Sequence, residues 1–242
     1  MTKRLREFKA LTFDCYGTLI DWESGIWDAF QPLLGANGCD ALSRDRCLES
    51  FAESESRQQA KTPEMLYGVL LARVHRAVAE TLGLTTTEEL DASFAESIAD
   101  WPAFPGTAAA LRRLKRRFKL VILSNVDRDG FRASRAKLGV DFDAVYTAED
   151  IGSYKPAAAN FAYMLERMRA DFGLGSEDIV HVAQSLFHDH VPASRFGLAS
   201  AWIDRQGLAA GGNWGATARV PDRPEVDFVY ATLAAMADAV SA

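Results

Sequence analysis

The 242 residues predict an α/β protein in which a parallel sheet is interrupted by an all-helical insertion. Two observations point there. Short apolar, β-prone runs recur at residues 8–13, 118–123, 144–147 and 179–183, with helical spacing of apolar residues between the later ones. Between the first run and the second, residues 21–100 carry no strand pattern and read almost entirely as helix. A hydrophobic content of 48% is enough to bury one core with such an insertion.

The first strand ends at Asp14, where Cys15-Tyr16-Gly17-Thr18 follows. A carboxylate at the C-terminal end of a buried strand sits where open α/β sheets place their ligands, and the amides of the following turn can face an anion. A carboxylate there can equally begin an Asx turn. Residues 22–34 then space Trp22, Ile26, Trp27, Phe30, Leu33 and Leu34 on one helical face, and residues 35–38 end that helix. Further helices are expected near residues 41–58, 63–82 and 87–99. Thr62-Pro63 reads as a helix start, and Thr86 with Glu89 has capping-box spacing. These helices form either an inserted cap or one layer of a single domain.

Trp101-Pro-Ala-Phe-Pro-Gly106 returns the chain to the sheet. A helix over 107–117 precedes the strand 118–123, which closes on Ser124-Asn125, a pair that can hold a carboxylate or simply make a turn. A helix near 130–138, the strand 144–147 and a helix opened by Lys155-Pro156 come next. The strand 179–183 runs into Gln184-Ser-Leu-Phe-His-Asp189. A short helix and strand over 192–203, a strand at 227–230 and an alanine-rich terminal helix complete the chain. Residues 207–215 are glycine-rich without phosphate-loop spacing or context, and read as a surface loop.

Net charge is −6, and no basic run interleaves with aromatics, so a nucleic-acid partner is not expected. The dense basic cluster Arg112, Arg113, Lys115, Arg116 and Arg117 reads as a solvated helix face. Cys15, Cys39 and Cys47 are too few and too irregular for a disulfide framework or zinc site, and Cys15 reads as core packing. The first residues lack a signal peptide, and no apolar run is long enough to span a membrane, so the expectation is a cytoplasmic protein with no membrane partner.

Phe13-Asp-Cys-Tyr-Gly-Thr-Leu19, Ser124-Asn125, Lys155-Pro156 and Asp189 occur in an order that resembles the four motifs of the haloacid dehalogenase-like hydrolases. Tyr16, where phosphatases of that superfamily carry a second Asp, resembles the L-2-haloacid dehalogenase (type II) branch. The resemblance implies a Rossmann-like core over residues 1–20 and 101–242 with a helical cap over 21–100. It implies Asp14 as a covalent nucleophile that converts a small 2-haloacid to a 2-hydroxy acid and halide, without metal or cofactor. Thr18, Ser124 and Asn125 would position groups by hydrogen bonds, Lys155 would keep Asp14 ionised, and Asp189 would orient Lys155 or a water. Tyr16, Trp22, Phe161 and Gln184 would contact substrate, and a homodimer is implied because family members are often dimers.

Several residues depart from that pattern. The cap arginine that pairs with the substrate carboxylate has no clear counterpart, Arg57 being the nearest and reading otherwise as an exposed charge. Phe161 stands where a site tyrosine can occur, and Gln184 and Leu186 replace Ser and Asn. His188 and His190 flank Asp189 at a spacing that suggests a metal pair, although a hydrogen-bonding role fits better. Two rival readings remain, a magnesium-dependent phosphatase of the same superfamily and a member that binds a small acid without turning it over.

Overall fold

The computed structural model describes residues 3–39 and 41–241. Six strands form one parallel sheet: β1 (Ala10–Phe13), β2 (Lys119–Ser124), β3 (Ala144–Thr147), β4 (Ile179–Ala183), β5 (Ala199–Ile203) and β6 (Phe228–Tyr230). Their spatial order is β3-β2-β1-β4-β5-β6. That order reverses between β1 and β4, the arrangement of a Rossmann-like doubly wound sheet, and the reversal opens a crevice at the carboxyl ends of those two strands. In register, Phe13 lies opposite Ile122 on one side and Val182 on the other.

The central strands read as continuous apolar runs because both faces are covered. Alternation along them divides the core in two. Leu11, Phe13, Leu120, Ile122, Val180 and Val182 join one cluster, with α5 (Thr107–Lys115) and α10 (Leu233–Ser241). Ala10, Val121, Leu123 and Ile179 join the other, against Phe161, Met164 and Met168 of α8 (Ala158–Phe172). The remaining helices of this part are α6 (Arg128–Leu138), α7 (Ala148–Ile151) and α9 (Val191–Arg195).

Between β1 and α5 lie four helices, α1 (Trp22–Ala36), α2 (Arg44–Lys61), α3 (Tyr67–Leu82) and α4 (Glu88–Glu96). They pack on one another through Phe30, Phe51 and Phe94, with the His75 ring stacked 4.5 Å from Phe94 and 5.7 Å from Phe30. The chain leaves and re-enters the sheet region through two adjoining segments. Asp21 N–H donates to Pro102 O and Phe104 N–H to Leu19 O. Gly25 is required at that crossing, since a Cβ there would lie 2.3 Å from the buried Trp101 ring. No helix among the described residues is long and apolar enough to cross a membrane.

Helix boundaries differ from the pattern-based expectation where polar side chains have better partners. Thr62 does not start a helix: it is the C-cap of α2, with its N–H on Gln58 O, and residues 63–66 form a turn before Tyr67. α4 is capped by Thr87, whose Oγ1 accepts from Leu90 N–H, because the Thr86 hydroxyl donates instead to Asp91 Oδ1 at 2.9 Å. Gly35 lies inside α1, which runs on to Ala36.

Asp91 ties α4 to α3. It is 3% exposed and accepts from His75 Nδ1 at 2.7 Å and from Arg76 at 2.6 and 2.8 Å. Burial alone would raise its pKa, but these hydrogen bonds outweigh it and hold the carboxyl below its ordinary range. Asp91→Ala leaves buried donors without partners and is expected to cost about 1–3 kcal/mol in denaturant unfolding at neutral pH. A depressed carboxyl stabilises above the unfolded-state value, so the difference from wild type should shrink as pH falls through the folded-state value.

Candidate active site

The site forms where β1 and β4 diverge. Asp14 N–H continues the β-ladder to Val182 O, and the chain then turns sharply, so the carboxylate stays at the sheet edge. Gly17 takes φ +92°, open to glycine at no steric cost, and a Cβ there would also press on Trp22 and Gln184. Thr18, buried in the same turn, donates from Oγ1 to Asp14 Oδ2 at 2.7 Å and accepts from Gln184 N–H at 2.9 Å. The turn's carbonyls are held from outside. Arg205, just after β5, donates to Gly17 O at 3.2 Å and Thr18 O at 2.6 Å, with its guanidinium 3.6 Å over the Phe104 ring.

Lys155, 2% exposed, lies between two carboxylates. Its Nζ donates to Asp14 Oδ1 at 2.9 Å, Asp189 Oδ1 at 2.7 Å and Leu123 O at 2.9 Å. Burial works to lower its pKa, yet Asp14 and Asp189 outweigh burial and hold the ammonium above its ordinary value. Asp14 is pushed up, by burial first and by Asp189, with Lys155 and the Thr18 hydroxyl opposing. Asp189 goes the other way: burial would raise it, but Lys155 and the hydrogen bond from His181 keep it far below the usual carboxylate range. The lysine thus carries one firmly ionised partner and one whose charge it must defend. Asn125 braces the lysine backbone, accepting from Lys155 N–H at 2.6 Å and donating to Lys155 O at 3.0 Å.

His181 and Arg205 are the functional residues that sequence reasoning missed. His181 is fully buried in β4, with Nε2–H on Asp189 Oδ1 at 2.9 Å and Nδ1 2.9 Å from Thr12 Oγ1. Its signal was a histidine inside an otherwise apolar strand, a position that needs buried partners. Arg205 follows a strand end, where nothing in its own neighbours marks it.

A cavity of about 590 Å³ opens onto Asp14, Lys155 and Asp189. Tyr16, Trp22, Asn125 and Gln184 line it. The Tyr16 hydroxyl is spent on Ser134 Oγ at 2.9 Å, and Gln184 Nε2 on Gln206 at 2.8 Å and Thr217 at 3.1 Å. Thr18 lies behind Asp14, off the cavity wall. Ser124 Oγ is buried without a hydrogen-bond partner among the described residues and is also absent from the wall. Phe161 is a correction: it belongs to the cluster on the opposite sheet face, stacked on Phe196 and edge-on to His181, and cannot touch a ligand. A second correction concerns the glycine-rich stretch, since Gly215 and the residues up to Arg219 form part of the cavity wall. Arg57 is exposed, donates to Ser54 and does not line the cavity. His188 and His190 diverge: His188 lines the cavity and bonds Ser185, whereas His190 is buried on Ala183 O.

A family model for haloacid dehalogenase-like hydrolases matches residues 8–183. The chain belongs to the haloacid dehalogenase-like hydrolases. Relatives include (S)-2-haloacid dehalogenase 4A of Burkholderia cepacia, 26% identical across 82% of this chain and 84% of that protein. Haloacetate dehalogenase H-2 of Moraxella sp. (strain B) is 28% identical across 85% of this chain and 89% of that protein. Among solved structures, the L-2-haloacid dehalogenase from Xanthobacter autotrophicus with chloropropionic acid covalently bound shares the fold, with TM-score 0.77 and 23% identity over 97% of this chain and 98% of that one. In this hydrolase the Arg205 clamp fixes the turn that holds Thr18 against Asp14. Arg205→Ala is therefore expected to lower kcat about ten- to a hundredfold with KM nearly unchanged, and added guanidinium should restore part of it in steady-state assays.

Proposed function

We propose that this hydrolase cleaves the carbon–halogen bond of a 2-haloacid, with Asp14 as the nucleophile. The observation that carries the reading is the pairing of a buried Asp14 with Lys155 while Tyr16, two residues on, offers no proton. Burial raises the Tyr16 phenol well above its ordinary value, and its hydroxyl is engaged by Ser134. Phosphoryl transfer to an aspartate needs an acid for the leaving oxygen, whereas halide departs without one. The curated relatives, named as dehalogenases, support the same reading.

In the first step an Asp14 carboxylate oxygen attacks C2 of the substrate; the C2–O bond forms, the C2–halogen bond breaks, and halide leaves with its electron pair. In the second, water adds to Asp14 Cγ and the Cγ–O bond to the substrate breaks; one proton of the water passes to the departing alkoxide, giving the 2-hydroxy acid, the other goes to solvent, and the Asp14 carboxylate is regenerated. Lys155 keeps Asp14 ionised for the first step. Asp189 Oδ2, buried and without a partner among the described residues, is the acceptor that would orient the attacking water. Residues 21–100 would act as a cap over a core made of residues 1–20 and 101–242, closing the cavity against bulk water.

The phosphatase alternative calls for magnesium between the first and fourth motifs. The donor set does not fit it. Asp14 and Asp189 are bridged by Lys155 Nζ, and among the described residues no group of three His, Cys, Asp or Glu side chains could hold a metal ion.

Halide release from 2-chloro- and 2-bromopropionate, measured with EDTA present, should be abolished by Asp14→Ala, a loss of at least about 10³-fold. With enzyme in excess and 18O water, the hydroxy acid of the first turnover should carry unlabelled oxygen, the label entering Asp14. Labelled product in that turnover would rule out the aspartyl ester. Because the Asp14 pKa is raised and the ionised form reacts, kcat/KM should fall as pH drops through that value.

A further inference from the structure

A carboxylate entering this cavity meets mostly acidic side chains. Asp14 and Asp189 share the ammonium of Lys155, and α2 presents Glu49, Glu53 and Glu55 to the same space. Moving an anion from water into such a place is unfavourable unless a charged donor receives it. Lys155 is not free to do so, because its Nζ already donates to three acceptors. Ser56, Gln59 and Ser185 bring neutral donors, which supply hydrogen bonds but no compensating charge.

Among the described residues, Arg219 is the cation that remains at this cavity. It lines the wall and makes no hydrogen bond or ion pair among those residues. No arginine or lysine of residues 21–100 lines the cavity among them, so the helical insertion offers no rival. His188 does not supply a charge either, since burial pushes it down to about 4.

The place of Arg219 is set from the nucleophile outward. Asp14 accepts from the Thr18 hydroxyl at 2.7 Å, Thr18 Oγ1 accepts from Gln184 N–H at 2.9 Å, and Gln184 Nε2 donates to Thr217 Oγ1 at 3.1 Å. Thr217 is 8% exposed, accepts a second bond from Gln206 Nε2 at 3.0 Å, and donates its N–H to Trp214 O at 3.0 Å. Arg219 follows two residues later. The backbone that carries it is therefore tied in series to the reacting carboxylate, while its guanidinium stays unengaged. Gly215, Ala216 and Ala218 beside it in the wall have small side chains that leave the guanidinium room. A fixed base with a charged, forked head suits a small carboxylate.

We propose that Arg219 receives the substrate carboxylate, so that the loop between β5 and β6 holds the acid end of the 2-haloacid. The assignment rests on the 2-haloacid reading above and adds the residue that recognises the acid end. The acidic side chains of α2 then act by exclusion. A pose that turned the carboxylate toward Glu49 and Glu53 would set like charges together, which favours the pose facing Arg219.

Propionate and its neutral amide, propionamide, have no halogen to lose, so they separate recognition of the acid from chemistry. By calorimetry, wild type should bind propionate more tightly than propionamide, and Arg219→Ala should weaken propionate about ten- to a hundredfold with propionamide unchanged. Arg219→Lys keeps the charge and loses the planar fork, so it should recover part of that loss, and Arg219→Gln none of it. With 2-chloropropionate the same variants should raise KM while kcat changes far less. Because Arg219 is exposed and has no partner among the described residues, Arg219→Ala should keep the wild-type unfolding midpoint in denaturant. Arg57→Ala, exposed and off the cavity, should bind propionate as wild type does. No wild-type preference for propionate, an Arg219→Ala affinity equal to wild type, an equal loss for both ligands, or a loss of that size in Arg57→Ala overturns the proposal. Halide assays run in parallel keep the two readings apart. Normal halide release with propionate binding indifferent to Arg219 removes the Arg219 assignment alone, whereas Arg219-dependent propionate binding without halide release upholds it and removes dehalogenation.

Discussion

The structure depends on one buried ammonium. Lys155 Nζ leaves water to sit among Asp14, Asp189 and the Leu123 carbonyl, and taking these charges out of solvent costs several kcal/mol per ion unless the geometry is held closely. The surroundings read as the means of holding it. Asn125 clamps the lysine backbone on both sides of the peptide, His181 pins Asp189, and Thr18 pins Asp14. None of these residues needs to touch a substrate to matter. Removing His181 or Thr18 would leave a buried carboxylate short of a donor, and removing Asn125 would leave the Lys155 backbone groups unpaired, each more costly than the loss of the same hydrogen bond at the surface.

The topology is what makes the arrangement reachable by one chain. β1 and β4 are neighbours at the reversal of strand order, so Asp14 and the turn carrying Asp189 come together although far apart in sequence. Ser124-Asn125 arrives from the end of β2, Lys155 from beyond β3, and Arg205 from the end of β5. Each strand contributes at its carboxyl end, so the sheet acts as a rigid template and the turns carry the chemistry. The same logic explains the two faces of β4. Val180 and Val182 pack into one cluster, while His181 between them points to the opposite face and reaches Asp189.

Much of this was readable from the sequence because it is local. Asp14, Ser124-Asn125, Lys155 and Asp189 each follow a recognisable strand, and apolar runs and helical spacing locate most elements to within a few residues. What escaped is non-local. The family resemblance puts Phe161 in the pocket, but helical rotation of α8 turns it onto the far sheet face. The wall built by Gly215 to Arg219 depends on Thr217 meeting Gln184, a contact no pattern within residues 207–219 encodes. Thr62 and Thr86 matched capping patterns, yet each hydroxyl has another partner: Thr62 the Gln58 carbonyl, and Thr86 the buried Asp91. Cap signals weigh about 1 kcal/mol, and a buried carboxylate in want of a donor outweighs them.

A core whose hydrogen bonds close on one another is pre-organised for reaction, because its charges need not rearrange when a ligand arrives. The walls in front of it are not held to neutral residues: Arg219 lines the same cavity as Glu49, Glu53 and Glu55. A cation there does not replace Lys155 as the counter-ion of Asp14, because the lysine ammonium is buried in contact with that carboxylate and is itself held by Asp189 and the Leu123 carbonyl. Contact in a buried setting, rather than the mere presence of charge on the wall, therefore decides which ammonium governs the ionisation of Asp14.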